Sequence, residues 1–190
     1  MKRAATSLLF LAALSSMMAA QSLTARIDRD QLRISAPRLH FLTGEALERL
    51  RDGATVKYDF QLTVRSDRNA KALARAEEFF AISYDLWEEK FAITRIGSSP
   101  RSVSHLSAAA AEAWCLDNIS LPASGLSANQ PFWLRLDFRA DDPGVSAGQS
   151  DNSGFTLSGL IDIFSRRTRG EQVHGSDELG PMRLETLRRK

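Results

Sequence analysis

A single cysteine in 190 residues, Cys115, excludes an internal disulfide, so packing must hold this chain together. Flanked by Trp114 and Leu116, that thiol reads as a small buried hydrophobe rather than a nucleophile. The three histidines, His40, His105 and His174, are far apart and lack metal-ligand spacing, so each reads as a surface or loop residue and no metal site is predicted. No glycine-rich phosphate loop is present, and Gly154 and Ser158 stand four apart where a nucleophile elbow needs two. These absences leave no catalytic signature and no cofactor to predict. No apolar run reaches the ~20 residues of a spanning helix. Internal repeats are also missing.

An excess of charge is missing too. The chain carries 25 basic and 23 acidic side chains. Setting aside Lys2 and Arg3 leaves 23 of each, so the balance gives no reason to expect nucleic acid. What asymmetry there is lies at the end: seven basic and four acidic residues follow from Arg166 onward.

The amino terminus is informative. Lys2 and Arg3 precede an uncharged run from Ala4 to Leu14, followed by Ser15-Ser16-Met17-Met18-Ala19-Ala20. That order predicts a secretory signal peptide over residues 1–20, cleaved after Ala20 or Ala19, with an uncleaved anchor as the alternative. The expected location is periplasmic or cell envelope. No cysteine follows the apolar run, so a lipid anchor through an N-terminal cysteine is not expected. The remainder, about 170 residues, fits one domain. We read residues 23–167 as a single β-rich globular domain and 168–190 as a disordered basic tail.

Along the chain, Leu23 to Ser35 reads as an opening hairpin. Thr43 to Gly53 reads as a short helix, with Thr43 as N-cap and Gly53 as left-handed cap. In Ala54 to Ser66, Val56, Tyr58, Phe60, Leu62 and Val64 alternate with polar neighbours, which defines a strand with one dry and one wet face. One wet face implies an antiparallel sheet. Ala76 to Trp87 is a second strand, and Glu88-Glu89-Lys90 returns the chain through Phe91 and Ile93. Gly97 to Ser107 reads as a loop. Ser107 caps an alanine-rich helix to Leu116, and Asn118 to Leu121 is a short strand ended by Pro122. In the strand after Pro131, Phe132, Leu134, Leu136 and Phe138 alternate with Trp133, Arg135, Asp137 and Arg139. Ala140 to Gly154 is a long polar loop, and Phe155 to Arg167 has helical apolar spacing. The prediction is a mainly β domain, an antiparallel β-sandwich of about seven strands with two or three helices.

Three stretches carry a resemblance. They are Ala46-Leu47-Glu48-Arg49-Leu50-Arg51-Asp52-Gly53 leading into Val56-Lys57-Tyr58-Asp59-Phe60, the hairpin from Ile82 to Ile93, and the alanine-rich helix leading to Asn118-Ile119-Ser120-Leu121-Pro122. Through these the chain resembles the DUF4390 family of small exported bacterial proteins of unknown function. The resemblance implies export but no activity and no catalytic residue. Encoding of relatives near membrane sensor kinases implies an envelope partner of that kind. The family often has a tryptophan- and arginine-rich stretch after the first long strand. Here Arg65-Ser66-Asp67-Arg68-Asn69 stands there, so no role of those aromatics carries over.

The candidate site residues are Trp87, Trp133, Arg135, Glu88 and Glu89. Tryptophan beside arginine on a wet sheet face is typical of contact surfaces. Burial of Trp133 under a second layer, such as the 155–167 helix, is the competing reading. Asp85, Glu88 and Glu89 at a hairpin end allow acid–base work on a glycoside but equally a solvated turn. Asp141, Asp142, Asp151 and Asn152 match no calcium-loop pattern. Arg166-Arg167-Thr168-Arg169 and Arg188-Arg189-Lys190 allow weak contact with an anionic membrane. The preferred function is an exported protein–protein or ligand-binding domain. The alternative is a hydrolase of envelope polymer that uses the Asp85–Glu89 carboxylates.

Overall fold

The computed structural model of the chain describes residues 23–141 and 173–188. Among the described residues, nine strands form two antiparallel sheets. The smaller has the order β1-β2-β7, with β1 at Thr24–Asp28, β2 at Gln31–Ser35 and β7 at Ser120–Pro122. The larger has the order β6-β5-β4-β3-β8-β9. Its strands are β3 at Val56–Arg65, β4 at Ala72–Asp85, β5 at Lys90–Ile96, β6 at Arg101–Leu106, β8 at Phe132–Ala140 and β9 at His174–Met182. Three helices complete the described fold: α1 at Gly44–Arg51, α2 at Ala108–Asp117 and α3 at Leu184–Arg188. The predicted class, mainly β and antiparallel, is the observed one.

The alternation in β3 sets the inside of the molecule. Val56, Tyr58, Phe60, Leu62 and Val64 are fully buried. Opposite them, Phe80 and Ile82 of β4 and Leu134, Leu136 and Phe138 of β8 extend the same dry face. One continuous core joins that face to Leu32, Ile34 and Leu121 of the small sheet and to Leu50, Ala111 and Leu116 of α1 and α2. Phe41 stacks into it, with its ring centroid 5.1 Å from Tyr58 and 5.0 Å from Phe60. Offset and edge-on aromatic contacts of this kind each add about 0.5–1.5 kcal/mol beyond area burial.

Local signals act as expected at α2, where the Ser107 hydroxyl accepts from the Ala110 amide at 3.3 Å. At α1 they do not. Thr43 takes the extended N-cap backbone, but its side chain makes no cap hydrogen bond. Gly53 does adopt a left-handed conformation, φ +85°, just beyond that helix.

Two segments correct the sequence reading. Residues 101–106, read as loop, form the edge strand β6, which pairs with β5 through an irregular register and is exposed or half-buried throughout. The tail from 168 onward, read as disordered, instead supplies β9 and α3 at 174–188. β9 pairs with β8 along its length, and Leu184 of α3 is buried in the core. The reason lies in two glycines. A Cβ at Gly175 would stand 2.6 Å from the Phe138 ring, and one at Gly180 would stand 2.8 Å from the Trp133 ring. Glycine here permits close approach to bulky neighbours, although in a sequence it counts toward disorder. The predicted cleavage region, the 142–154 part of the long loop and the predicted 155–167 helix lie outside the described residues.

Candidate functional site

The β4–β5 hairpin is built as a projecting element. β4 runs 14 residues, and its Ile82 pairs with Val56, the first residue of β3, so Ser83, Tyr84 and Asp85 continue past the start of β3 while still paired with β5. Tyr84 and Phe91, opposite each other, pack with ring centroids 4.9 Å apart and stiffen this extension. The connecting loop is Leu86-Trp87-Glu88-Glu89.

Asp85 fixes that loop. Its Oδ1 accepts from the Trp87 amide at 2.8 Å and the Glu88 amide at 3.1 Å. These bonds, from Glu88 first and then Trp87, hold the Asp85 carboxyl below the usual carboxylate range. Glu89 closes the turn with φ +52°. Glu88 Oε2 lies 3.0 Å from Nε2 of His105 on β6, and His105 Nδ1 lies 2.8 Å from Ser104 Oγ. The outcome is an ordered turn that leaves Leu86 57% and Trp87 96% exposed. A tryptophan with almost all its surface in water is the informative kind of exposed apolar residue.

Trp133 and Arg135 sit elsewhere. Arg65, at the end of β3, pairs with Trp133, whereas the hairpin tip lies beyond the β3 start at Val56. The ten residues of β3 separate the two ends by about 30 Å at 3.3 Å per residue. The structure therefore groups Trp87, Glu88 and Glu89 and leaves Trp133 and Arg135 at the far end.

Trp133 is half-buried and held. The Arg68 guanidinium lies 4.4 Å from its ring centroid, and Gly180 packs against the ring. Arg135 is held by Asp137 at 2.8 Å and Glu178 at 3.5 Å, and Asp137 is the main reason its pKa is raised. Neighbouring Arg139 pairs with Asp59 at 2.7 Å. Arg135, Asp137, Arg139 and Asp59 border a groove of about 440 Å³ on the polar sheet face, with Gln61 and Glu77 also in its wall. Gln61 donates to Glu77 at 2.9 Å. Its charged groups are thus already engaged with one another.

Sequence reasoning missed one polar assembly. Glu112 of α2 is buried, and its Oε1 accepts from the amides of Phe41 at 2.8 Å and Leu42 at 3.0 Å, while Oε2 meets His40 Nδ1 at 2.9 Å. Tyr58 donates its hydroxyl proton to the Phe41 carbonyl at 3.1 Å. This carboxylate ties the 38–43 segment to α2. A glutamate inside an alanine run reads as a solvated helix face, so only tertiary placement exposes the role. Cys115 is buried, and desolvation first and Glu112 second push its thiol pKa up, which makes it a poor nucleophile.

Among the described residues, no group of three histidine, cysteine or carboxylate side chains could hold a metal ion. Nor is any described helix long and apolar enough to cross a membrane.

The family model for a domain of unknown function, DUF4390, matches residues 15–147, more than half the chain. The chain belongs to the DUF4390 family. No curated protein and no solved structure matches it. The DUF4390 match spans α1, β3, the β4–β5 hairpin, α2 and β8, and stops short of β9. The family description names no activity, so functional argument for this DUF4390 protein rests on its own geometry.

Proposed function

We propose that this DUF4390 protein is an exported, non-catalytic interaction domain of the cell envelope, which contacts a partner protein through the β4–β5 tip. The observation that carries the reading is Trp87, 96% exposed on a turn already pinned by Asp85. Ordering the turn in advance lowers the entropy lost on docking. Tryptophan is the residue type most enriched among those that dominate binding energy. The leader-like residues 1–20 support export, and the family resemblance alone points to a membrane sensor kinase as partner. Weak membrane contact by the basic terminus is a subsidiary proposal. In it, Arg188 lies 3.4 Å from Asp30, and Arg166, Arg167, Arg189 and Lys190 lie outside the described residues.

The hairpin carboxylates support binding over hydrolysis of an envelope polymer. Asp85 spends its Oδ1 on two loop amides and its pKa is lowered, whereas a general acid needs a raised one. Glu88 is turned to His105.

The test is in-cell crosslinking of the tagged full chain, with mass spectrometry of the captured species. Reproducible capture of one envelope protein, lost with Trp87→Ala and kept with Trp133→Ala, is the expected result. Equal capture by all three chains would remove the tip from the interaction.

A further inference from the structure

We infer that the β4–β5 tip docks into a protein socket with an apolar floor and a rim of lysine or arginine. The inference rests on the interaction reading above and adds the chemistry of the partner. Leu86 and Trp87 are consecutive and both exposed. Asp85 stands before them and Glu88 and Glu89 after, with Lys90 as the single cation within residues 85–90. Three carboxylates against one ammonium leave the tip at net charge −2. A buried indole removes about 150–250 Å² from water, which calls for an apolar pocket of matching size. The surrounding carboxylates then face the pocket's rim, where cations favour them and anions oppose them.

The same charge separates two readings of an exposed tryptophan. Indoles favour membrane interfaces, but a bilayer surface that carries anionic lipid attracts basic segments and repels acidic ones. An acidic collar around Leu86 and Trp87 works against such a surface and in favour of a cationic protein rim. The geometry adds orientation. Glu88 Oε2 is held 3.0 Å from His105 Nε2, and Ser104 Oγ holds the other ring nitrogen at 2.8 Å, so the collar is anchored to β6. His105 achieves this with a left-handed backbone, φ +63°, an uncommon conformation for a residue other than glycine. Carboxylate positions fixed in this way select a complementary spacing of cations, where a floppy loop would tolerate many.

The test places benzoylphenylalanine at position 86 of the full chain in its native cells. The captured protein is identified, purified and titrated against the full-length variants. Trp87→Ala is expected to weaken binding at least tenfold. Glu88→Lys combined with Glu89→Lys is expected to weaken it at least tenfold and to slow association, and the double Gln variant only a few-fold. Exchanging the captured protein's rim cations for glutamate should restore binding to the double Lys variant. All three chains should melt with the parent, because the substituted side chains are surface groups. Loss with Trp87→Ala but none with charge reversal overturns the cationic socket and leaves the interaction reading standing. Adducts with lipid alone, together with sedimentation on phosphatidylglycerol–phosphatidylethanolamine vesicles, overturn it in favour of a membrane. Adducts solely with a second copy of this chain overturn it in favour of self-association. No adduct of any kind overturns both readings.

Discussion

Two tryptophans stand at opposite ends of the large sheet, and the fold treats them in opposite ways. Trp133 is covered: Arg68 lies over its ring, Gly180 packs against it, and β9 runs alongside. Trp87 is held through its main-chain amide: the Asp85 carboxylate accepts from that amide, orders the loop and leaves the ring in water. The same residue type thus does stability work at one end and is kept available at the other. Trp87 is 96% exposed and Trp133 half-buried, because neighbouring side chains are spent on the turn at one end and on the ring at the other.

The sharpest way to break this contrast is a direct exchange of phenotypes. Trp87→Ala should cost at least tenfold in partner capture, about 1.4 kcal/mol or more, while shifting stability by no more than about 0.5 kcal/mol. Calorimetry beside quantitative crosslinking reads both, and a large drop in melting temperature would show Trp87 to be structural after all.

At the covered end the order reverses. Gly175→Ala forces a methyl to within 2.6 Å of the Phe138 ring. An overpacking cost of about 1–3 kcal/mol is expected, seen as a melting temperature lower by several degrees with capture unchanged. A wild-type melt would mean that β9 does not press on Phe138.

Trp133→Ala removes a partly buried ring and its guanidinium contact, for an expected loss of about 1–2 kcal/mol by chemical denaturation. Retention of capture in this variant sharpens the comparison, and its loss would move the contact surface to the far end.

The smallest effect concerns acid. The folded pKa of Asp85 lies below its unfolded value near 3.9. A lowered folded pKa means that the stabilisation is present above about pH 4 and disappears as pH falls through the folded value. The stability difference between the parent and Asp85→Asn should therefore shrink between pH 5 and pH 2. A difference that stays constant over that range would argue against the turn bonds in solution.

Much of the sheet was legible because its central strands are one-sided. In β8, the inner part of β4 and β3 up to Leu62, burial alternates residue by residue and the apolar pattern mirrors it, whereas Thr63 is buried on the other face of β3. The Trp87 turn was legible too, since Glu88-Glu89-Lys90 interrupts two such patterns. The edges were not. β6 buries almost nothing, so Arg101 to Leu106 carries no dry face to detect. β9 owes its place to backbone pairing and to two glycines beside large rings, neither of which leaves an apolar period. Trp133 reads as a contact residue only until Arg68, from the turn between β3 and β4, is seen over it. The buried bonds of Glu112 to the Phe41 and Leu42 amides join residues about 70 positions apart, and no local pattern announces such a pairing.

The length of β4 has a mechanical meaning. Fourteen residues in one unbroken strand span about 43 Å at 3.3 Å per residue, from the turn near Arg68 out to the tip. A pull on Trp87 directed outward runs parallel to β4. Antiparallel ladder bonds lie across the strand axis, so such a pull strains the ten β3–β4 pairs together rather than one after another. The arm that carries the tryptophan is therefore rooted to resist traction along its own axis.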